Sequence, residues 1–390
     1  MPLSSINIGS SGLIGFSKQL ETISNNVANL NTPGFKGATS QFSALFSGGG
    51  ESAGSNSGAK TGAGMAMLPS AVDFAQGQIS KTGSDLDVAI DGRGFFVLKD
   101  DAGNLLYTRD GRFNFNDKGL LVNTDGARVQ SLGSDGALQD ISLEGVRTSP
   151  ASSSTTIKLG GTLSTADTTK VVSGITVTDA AGGTHTLSIE FKNNTAATAG
   201  SWTVTVKEGT TAVATGEVRF ASGLLDPAYA KVAFTYSPAG VAPLPLTLVL
   251  DSGTTSAASG SSTIAVSSVD GWGVGTLTNA TFDASGKLSI TYSNGQKAMP
   301  QTLALANFGS TGDLEQAQGT SFRSKRPDAG VLGVADGTAS SISPESLEGS
   351  NVDLSRQFSA IIITQRGYQA SSELISTANQ MLDTLMHMKG

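Results

Sequence analysis

The residues that could carry out chemistry in this chain fall into two short groups. Gly92–Gly94 resembles the start of a dinucleotide-binding loop, but Val97 occupies the third glycine position and a strand pattern follows where the phosphate site needs a helix. The carboxylates of Asp85, Asp87 and Asp91 are close enough in sequence to suggest calcium, yet no acidic residue closes the loop at EF-hand spacing. The polar face of a half-buried, alternating strand is the simpler explanation.

Histidine and cysteine add no clear candidates for catalytic or metal-binding residues. His185 lies in an alternating strand and His387 in the last turn of a helix, and neither belongs to a sequence pattern with a carboxylate and a nucleophile. The absence of cysteine excludes disulfides, thiolate nucleophiles and cysteine metal sites. We therefore expect no catalytic residue, no metal and no cofactor, and predict that the protein is not an enzyme.

Composition and charge narrow the classes of fold and partner. A chain of 390 residues is long enough for two or three cores of about 150 residues each. Its 49 Gly, 6% aromatic and 15% charged residues indicate turn-rich β domains. The net charge of −7 predicts no nucleic-acid partner, and the basic run at Arg323, Lys325 and Arg326 is short enough for a solvated loop. No secretory leader or run of roughly 18 apolar residues is present, so no membrane insertion is expected.

Each end of the chain carries an apolar stripe at alternating spacings of three and four, the pattern of a helix that packs along a seam. The N-terminal stripe contains Ile6, Leu13, Phe16, Leu20, Ile23, Val27 and Leu30. The C-terminal stripe contains Leu354, Phe358, Ile361, Tyr368, Ile375 and Leu382, with Gln365, Ser372 and Asn379 as polar interruptions. Nothing nearby in sequence covers either stripe, which favours an assembly role; the alternative is two helices that close one core. Ser350 with Asp353 matches a capping box before the second helix.

The region between the helices has the pattern of short strands and tight turns. Hairpin turns are predicted at Asp91-Gly92, Asp110-Gly111, Asp125-Gly126, Asp135-Gly136 and Asn294-Gly295. Apolar alternation predicts strands at Ile175–Thr178, Leu187–Phe191, Trp202–Val206 and Leu246–Leu250.

These patterns predict a mainly β, multidomain fold with terminal α-helices and a nested architecture. A coiled-coil-like helical domain is expected at residues 1–32 and 351–390, and connectors at 33–67 and 328–350. An inner β domain is expected at residues 68–150 and 280–327. An outer β-sandwich or barrel is inserted into it at residues 151–279.

The segment that ends the first helix combines helix-stop signals with a family signature. Pro33 disfavours helical backbone at Thr32, Gly34 permits a left-handed turn, and the asparagines compete with the helix for hydrogen bonds. The segment closely resembles the N-terminal signature of the bacterial flagellar axial proteins, the rod and hook subunits, through Asn25, Asn26, Asn29, Asn31, Thr32, Pro33, Gly34 and Phe35. Further resemblance to this family covers Leu347–Ser355, the Gln365-Arg366-Gly367-Tyr368-Gln369 run, Leu86–Ile90, Gly94–Phe96 and Tyr107–Phe113.

The resemblance implies a structural subunit that forms a helical homopolymer. The large insertion, and the segment before His185, resemble hook subunits more than rod subunits. We therefore expect a subunit of the bacterial flagellar hook, a curved flexible tube that acts as a universal joint between motor and filament. A distal rod subunit of the basal body is the alternative, and a β-rich surface adhesin is a more distant one.

The resemblance also implies partners and a location. The implied partners are the distal rod, the hook–filament junction, the hook cap and the export apparatus. The residues alone, without a leader, suggest the cytoplasm, but the family implies flagellar type III export without a cleaved signal to a position outside the cell.

Overall fold

The computed structural model describes residues 2–47, 61–326, 329–335, 337 and 340–387. The chain forms two compact units. The first contains Met1–Glu144, Ala280–Ser289 and Met299–Gly390, and the second contains Gly145–Asn279 and Ile290–Ala298. The described chain is mainly β with a long helix at each end, which confirms the predicted fold class.

The helices are α1 (Pro2–Ala28) and α2 (Leu354–His387), and 3-10 turns span Pro227–Tyr229 and Thr311–Asp313. In chain order the strands are β1 (Ala38–Ser47), β2 (Thr61–Val72), β3 (Ile79–Lys81), β4 (Val88–Gly92), β5 (Phe95–Lys99), β6 (Leu105–Thr108), β7 (Asn114–Phe115), β8 (Leu121–Val122), β9 (Arg128–Leu132), β10 (Leu138–Asp140), β11 (Thr148–Ser149), β12 (Thr156–Gly160), β13 (Thr162–Ser164), β14 (Thr169–Thr178), β15 (Thr184–Asn193), β16 (Ser201–Glu208), β17 (Thr211–Ala221), β18 (Leu224–Leu225), β19 (Lys231–Tyr236), β20 (Leu244–Leu250), β21 (Thr255–Ala257), β22 (Ala265–Val269), β23 (Gly275–Phe282), β24 (Leu288–Tyr292), β25 (Lys297–Ala298), β26 (Leu305–Phe308), β27 (Leu314–Gln316), β28 (Ser321–Ser324), β29 (Gly330–Gly333), β30 (Ser340–Pro344) and β31 (Ser346–Glu348).

The main sheet of the first unit combines strands from two distant parts of the sequence. Its order is β27-β28-β6-β5-β9-β8-β7, with β10 beside β9, β26 beside β5 and β29 beside β26. Two further two-stranded ribbons also pair strands that are distant in sequence: β3 pairs with β31, and β4 pairs with β30. The sheet begun before residue 144 is therefore completed by strands that follow residue 299.

The second unit has a core of its own. Its sheets run β19-β20-β12-β22 and β13-β21-β18-β17-β16-β15-β14, while β11 pairs with the start of β23 and β24 pairs with β25. The predicted alternation in β14, β15, β16 and β20 is confirmed, because the apolar positions are buried and the polar ones between them are more exposed. Trp202 and Phe191 are fully buried in this core.

A hairpin occupies part of the stretch predicted as a connector. Strands β1 and β2 are antiparallel, and they pack against α1, since a Cβ at Gly15 would lie 2.6 Å from Met65 Sδ and 3.2 Å from Phe42 Cε1. The Gly- and Ser-rich composition gave no sign of these strands. The remainder of that stretch, residues 48–60, lies outside the described residues.

The predicted hairpin turns divide into two kinds. Asp125-Gly126, Asp135-Gly136 and Asn294-Gly295 each close a hairpin, with glycine at positive φ. The other two predictions are wrong. Asp91-Gly92 lies inside β4, which pairs with β30, and Gly111 accepts a hydrogen bond from Val88 N while β6 and β7 do not pair with each other. In both cases a partner strand distant in sequence replaced the local one.

The predicted capping box is also wrong in position. Helix α2 begins at Leu354, and Asp353 Oδ1 accepts hydrogen bonds from Ser355 N (2.8 Å) and Arg356 N (3.2 Å). Asp353 is therefore the N-cap residue itself, because its carboxylate satisfies the free N–H groups of the first turn. Ser350 Oγ instead accepts from Val352 N, before the helix.

Candidate functional site

The two terminal helices pack against each other in the first unit as an antiparallel pair, which we call the helix pair. Glycines permit this approach: a Cβ at Gly9 would lie 2.7 Å from Ile375 Cγ1, and one at Gly12 would lie 2.6 Å from Ser371 Oγ. At Gly367 of α2, a Cβ would lie 2.5 Å from the Phe16 ring. The glycines that weaken α1 as an isolated helix are thus the residues that let α2 come close.

The structure separates the predicted seam residues into two groups. Buried or half-buried in the helix pair or the turn after α1 are Leu13, Phe16, Ile23, Val27, Leu30, Ile361, Ile375 and Leu382. Exposed are Leu20, Leu354, Phe358, Gln365, Arg366 and Tyr368. Leu20 and Tyr368 lie at the margin, since they line an open groove on the helix pair together with Phe16.

Helix α2 exposes several large apolar side chains to solvent. Phe358, Ile362, Ile363, Leu374 and Met381 are each between 51% and 68% exposed, and we call these five residues the open face. The α2 residues that are buried are small or polar: Thr364, Ser371 and Ala378. Sequence reasoning found only Phe358 of the open face, because the other four lie outside the strict spacing of three and four residues.

The asparagines of the N-terminal signature end α1 and hold the chain that follows it. Asn29 Nδ2 donates to Asn25 O (2.9 Å) and to Asn25 Oδ1 (3.0 Å), and Thr32 Oγ1 donates to Asn29 Oδ1 (3.1 Å). Asn26 is buried, where its Oδ1 accepts from Ala38 N (2.9 Å) and its Nδ2 donates to Ala38 O (2.8 Å). These bonds match the helix-stop interpretation of the asparagines.

Gly34 and Phe35 of the N-terminal signature are buried against the β region. Asn31 is exposed, and Pro33 is half-buried. Gly34 has φ +69°, donates from its N to Glu348 O (2.8 Å), and approaches so closely that a Cβ would lie 2.3 Å from Asp110 N. Phe35 is 4% exposed. A side chain at position 34 would both strain the backbone and collide with the Asp110 segment.

The C-terminal signature binds the same region from the other side. Asn351 Oδ1 accepts from Gly37 N (2.8 Å), and Asn351 Nδ2 donates to Asp73 O (2.7 Å) and Ala75 O (3.0 Å). Asn26 Nδ2 reaches Gln357 Oε1 of α2 at 3.3 Å. Together with the bond from Gly34 N to Glu348 O, these contacts join the two family signatures within one chain.

Three charged side chains at the base of the helix pair form a buried group, which we call the junction cluster: Lys36, Arg109 and Glu348. Lys36 Nζ lies 2.5 Å from Glu348 Oε1, and Arg109 Nη1 lies 3.2 Å from Glu348 Oε2. The side chains of Lys36 and Glu348 are fully buried and that of Arg109 is 5% exposed. Sequence reasoning missed the cluster, although Lys36 directly follows Phe35, Arg109 lies in Tyr107–Phe113 and Glu348 lies in Leu347–Ser355.

Burial dominates the electrostatics of the junction cluster. It lowers the pKa of Lys36 below the ordinary 10.5, against the opposing attraction of Glu348, and the nearby Arg109 cation lowers it further. Burial likewise lowers the pKa of Arg109 from its ordinary value. Such buried charges are tolerated only where they are paired and hydrogen-bonded.

The contacts described above are packing contacts, hydrogen bonds and ion pairs. In the described parts of the chain no group of three or more His, Asp or Glu side chains is placed to hold a metal ion. His185, in the second unit, lies 3.0 Å from Asp179 and packs edge-on against Tyr236. Neither α1 nor α2, as far as each is described, has the length and apolar character needed to cross a membrane.

Comparisons with known proteins give family matches at both ends of the chain and in its β region. Three family models match: flagella basal body rod protein over residues 6–36, the flagellar hook protein FlgE/F/G D1 domain over 89–194, and the flagellar basal body rod FlgEFG protein C-terminal region over 343–388. A solved structure, the Helicobacter pylori flagellar hook protein FlgE2, is 12% identical with a TM-score of 0.47, covering 67% of this chain and 98% of that one.

Two relatives match over nearly their whole length. The flagellar hook protein FlgE of Salmonella typhimurium is 28% identical over 97% of this chain and 98% of its own. That of Treponema pallidum is 30% identical over 98% of both chains. Both are named hook proteins, in agreement with the hook interpretation over the rod alternative. With family models at both ends and in the β region, and with relatives matched from end to end, the chain belongs to the flagellar hook protein family.

Proposed function

We propose that the chain polymerises through its helix pair, with the open face of α2 packed against neighbouring copies of the chain. The protein is a structural subunit of the flagellar hook, and membership of its family implies polymerisation with flagellar axial proteins. The observation that carries the proposal is that the fully buried residues of α2 are small or polar, whereas the five large apolar residues of the open face are more than half exposed. Exposed apolar surfaces of this kind mark sites of protein interaction.

The free energy of burying the open face favours assembly. Burying a leucine- or phenylalanine-sized side chain contributes roughly 1.5 to 3 kcal/mol. The five side chains are 51% to 68% exposed in the single chain, so each contributes correspondingly less, and together they offset part of the cost of association, estimated at about 4 to 15 kcal/mol.

The polymer that we propose is a helical, curved and flexible tube that acts as a universal joint and transmits motor torque to the filament. Its domains are the terminal helices at 1–32 and 351–390, connectors at 33–67 and 328–350, an inner β domain at 68–150 and 280–327, and an outer β domain at 151–279. The self-contained core of the second unit supports an outer domain that moves as a body. No enzymatic role is proposed.

The proposed partners beyond the homopolymer are the distal rod, the hook–filament junction, the hook cap and the export apparatus. The subunit would reach its place outside the cell by flagellar export without a cleaved signal. Support comes from the two ends of the chain, which match models of basal body rod proteins although the full-length relatives are hook proteins.

The test is a charge placed on the open face. Phe358→Asp should prevent assembly under conditions where the parent forms tubes, because the carboxylate would be buried without a partner at each contact. Ser372→Asp is the matched control, since it adds the same charge at an exposed polar position of α2. Sedimentation and negative-stain microscopy would measure assembly. Normal tubes from Phe358→Asp, or equal loss in the control, would contradict the proposal.

A further inference from the structure

Glu348 accepts hydrogen bonds from three separate stretches of the first unit. Its carboxylate accepts from Lys36 Nζ, from Gly77 N (2.8 Å) and from Arg109 Nη1, while its main-chain oxygen accepts from Gly34 N (2.8 Å). These donors come from the chain after α1, from the chain between β2 and β3, and from the chain after β6. Glu348 thereby joins segments that are far apart in the sequence.

The donors that meet Glu348 are themselves anchored. Lys36 Nζ also donates to Ala75 O (2.8 Å), and Arg109 Nη2 donates to Gly92 O (2.8 Å). Glycine at position 77 is required for this approach, because a Cβ there would lie 2.0 Å from Gly349 O. The two cations that contact Glu348 are therefore also bonded to the backbone at Ala75 and Gly92.

The charges make Glu348 indispensable to the junction cluster. Lys36 and Arg109 are two buried cations, and within the described residues Glu348 is the carboxylate that lies in salt-bridge range of either. A buried cation without its partner is strongly unfavourable. Removing the carboxylate would therefore affect both cations together.

The position of Glu348 in the chain connects this cluster to the helix pair. It ends β31, and α2 begins six residues later at Leu354, while Lys36 lies eight residues beyond the end of α1 at Ala28. We propose that Glu348 is a positioning residue: it fixes the helix pair on the β region of the first unit, so that load passes between them through a rigid joint. The claim about load rests on the proposed function, whereas the claim about docking does not.

The experiment compares two full-length variants by hydrogen exchange and by assembly. Glu348→Gln keeps the shape but leaves both cations without an anion. Glu345→Gln is the control, since it removes an equal charge from an exposed position in the same segment. For Glu348→Gln we expect amides at residues 26–38 and 349–357 to exchange about tenfold faster or more, while amides of β5, β6 and β9 keep their protection. Assembly should fall several-fold, and the control should match the parent in both.

A second variant separates positioning from stability. Lys36→Met with Arg109→Met and Glu348→Met replaces the cluster by apolar side chains of similar size, a change that often preserves stability. If the cluster positions the helix pair, this variant should melt like the parent yet keep fast exchange at both junction segments.

Three results would overturn the proposal. They are unchanged exchange at the junction in Glu348→Gln, a uniform loss of protection across the first unit, and parent-like exchange in the triple variant. Failure of both variants to fold would also overturn it, because the cluster would then serve folding as a whole. A parent that forms no tubes would contradict the proposed function and leave the exchange result to decide the docking role.

Discussion

In the second unit, large apolar side chains alternate along the strands and are buried within that unit, whereas the large apolar side chains of α2 are mostly exposed. The same residue types therefore form the folding core of the second unit, whereas on α2 they remain exposed to solvent. The difference lies in what each backbone can cover: two sheets bury one face of every strand, but a pair of helices buries only one stripe of each.

The largest effect that follows from this comparison is expected in the second unit. Trp202→Ala should lower its free energy of unfolding by about 3 to 5 kcal/mol, because the indole is fully buried and leaves a cavity. Urea denaturation followed by circular dichroism would measure the loss. Trp272→Ala, at a half-buried position, is the control and should cost clearly less. Equal losses would mean that burial does not distinguish the two sites.

The close contact between α1 and α2 predicts a smaller change in stability. The sign of that change tests whether the two helices are packed together. Alanine is the better helix former, so Gly367→Ala would stabilise an isolated α2 by about 1 kcal/mol. In the helix pair the new Cβ would lie 2.5 Å from the Phe16 ring, and overpacking should outweigh that gain. We expect a net loss of roughly 1 kcal/mol in the chemical denaturation of the unassembled chain. A more stable variant would show that the helices are not packed in solution.

The junction cluster predicts a pH dependence whose sign follows from the lowered pKa of Lys36. Between that lowered value and 10.5, the unfolded chain binds a proton that the folded chain has released. Stability should therefore rise with pH through this window, and the rise should be absent in Lys36→Met. Urea titrations of both proteins at increasing pH would measure the difference. A rise that persists in the variant would assign the effect to another group.

The smallest effect is expected on the open face. Phe358→Ala should change the free energy of unfolding of the unassembled chain by no more than about 0.5 kcal/mol, because the ring is 53% exposed. The same variant should assemble poorly. A loss near that of Trp202→Ala would place Phe358 in a folding core and remove the contrast between the two regions.

Local patterns in the sequence were enough to predict several elements correctly. Alternation located β14, β15, β16 and β20, and the helix-stop signals located the end of α1 within two residues of Leu30. Asp125-Gly126 and Asp135-Gly136 formed the predicted hairpins, since a tight turn depends on residues that are adjacent in the chain. The sequence also carried the two family signatures.

Tertiary structure alone decided which surfaces those elements share. The glycines at 9 and 12 let α1 approach Ile375 and Ser371 of α2 closely, whereas Phe358 on the same helix is 53% exposed. The pairing of Lys36 with Glu348 spans 312 positions, and the partner of β4 is β30. Periodicity and turn chemistry describe neighbours along the chain, so contacts between segments hundreds of residues apart leave no local pattern. Those contacts are fixed only when packing brings the segments together.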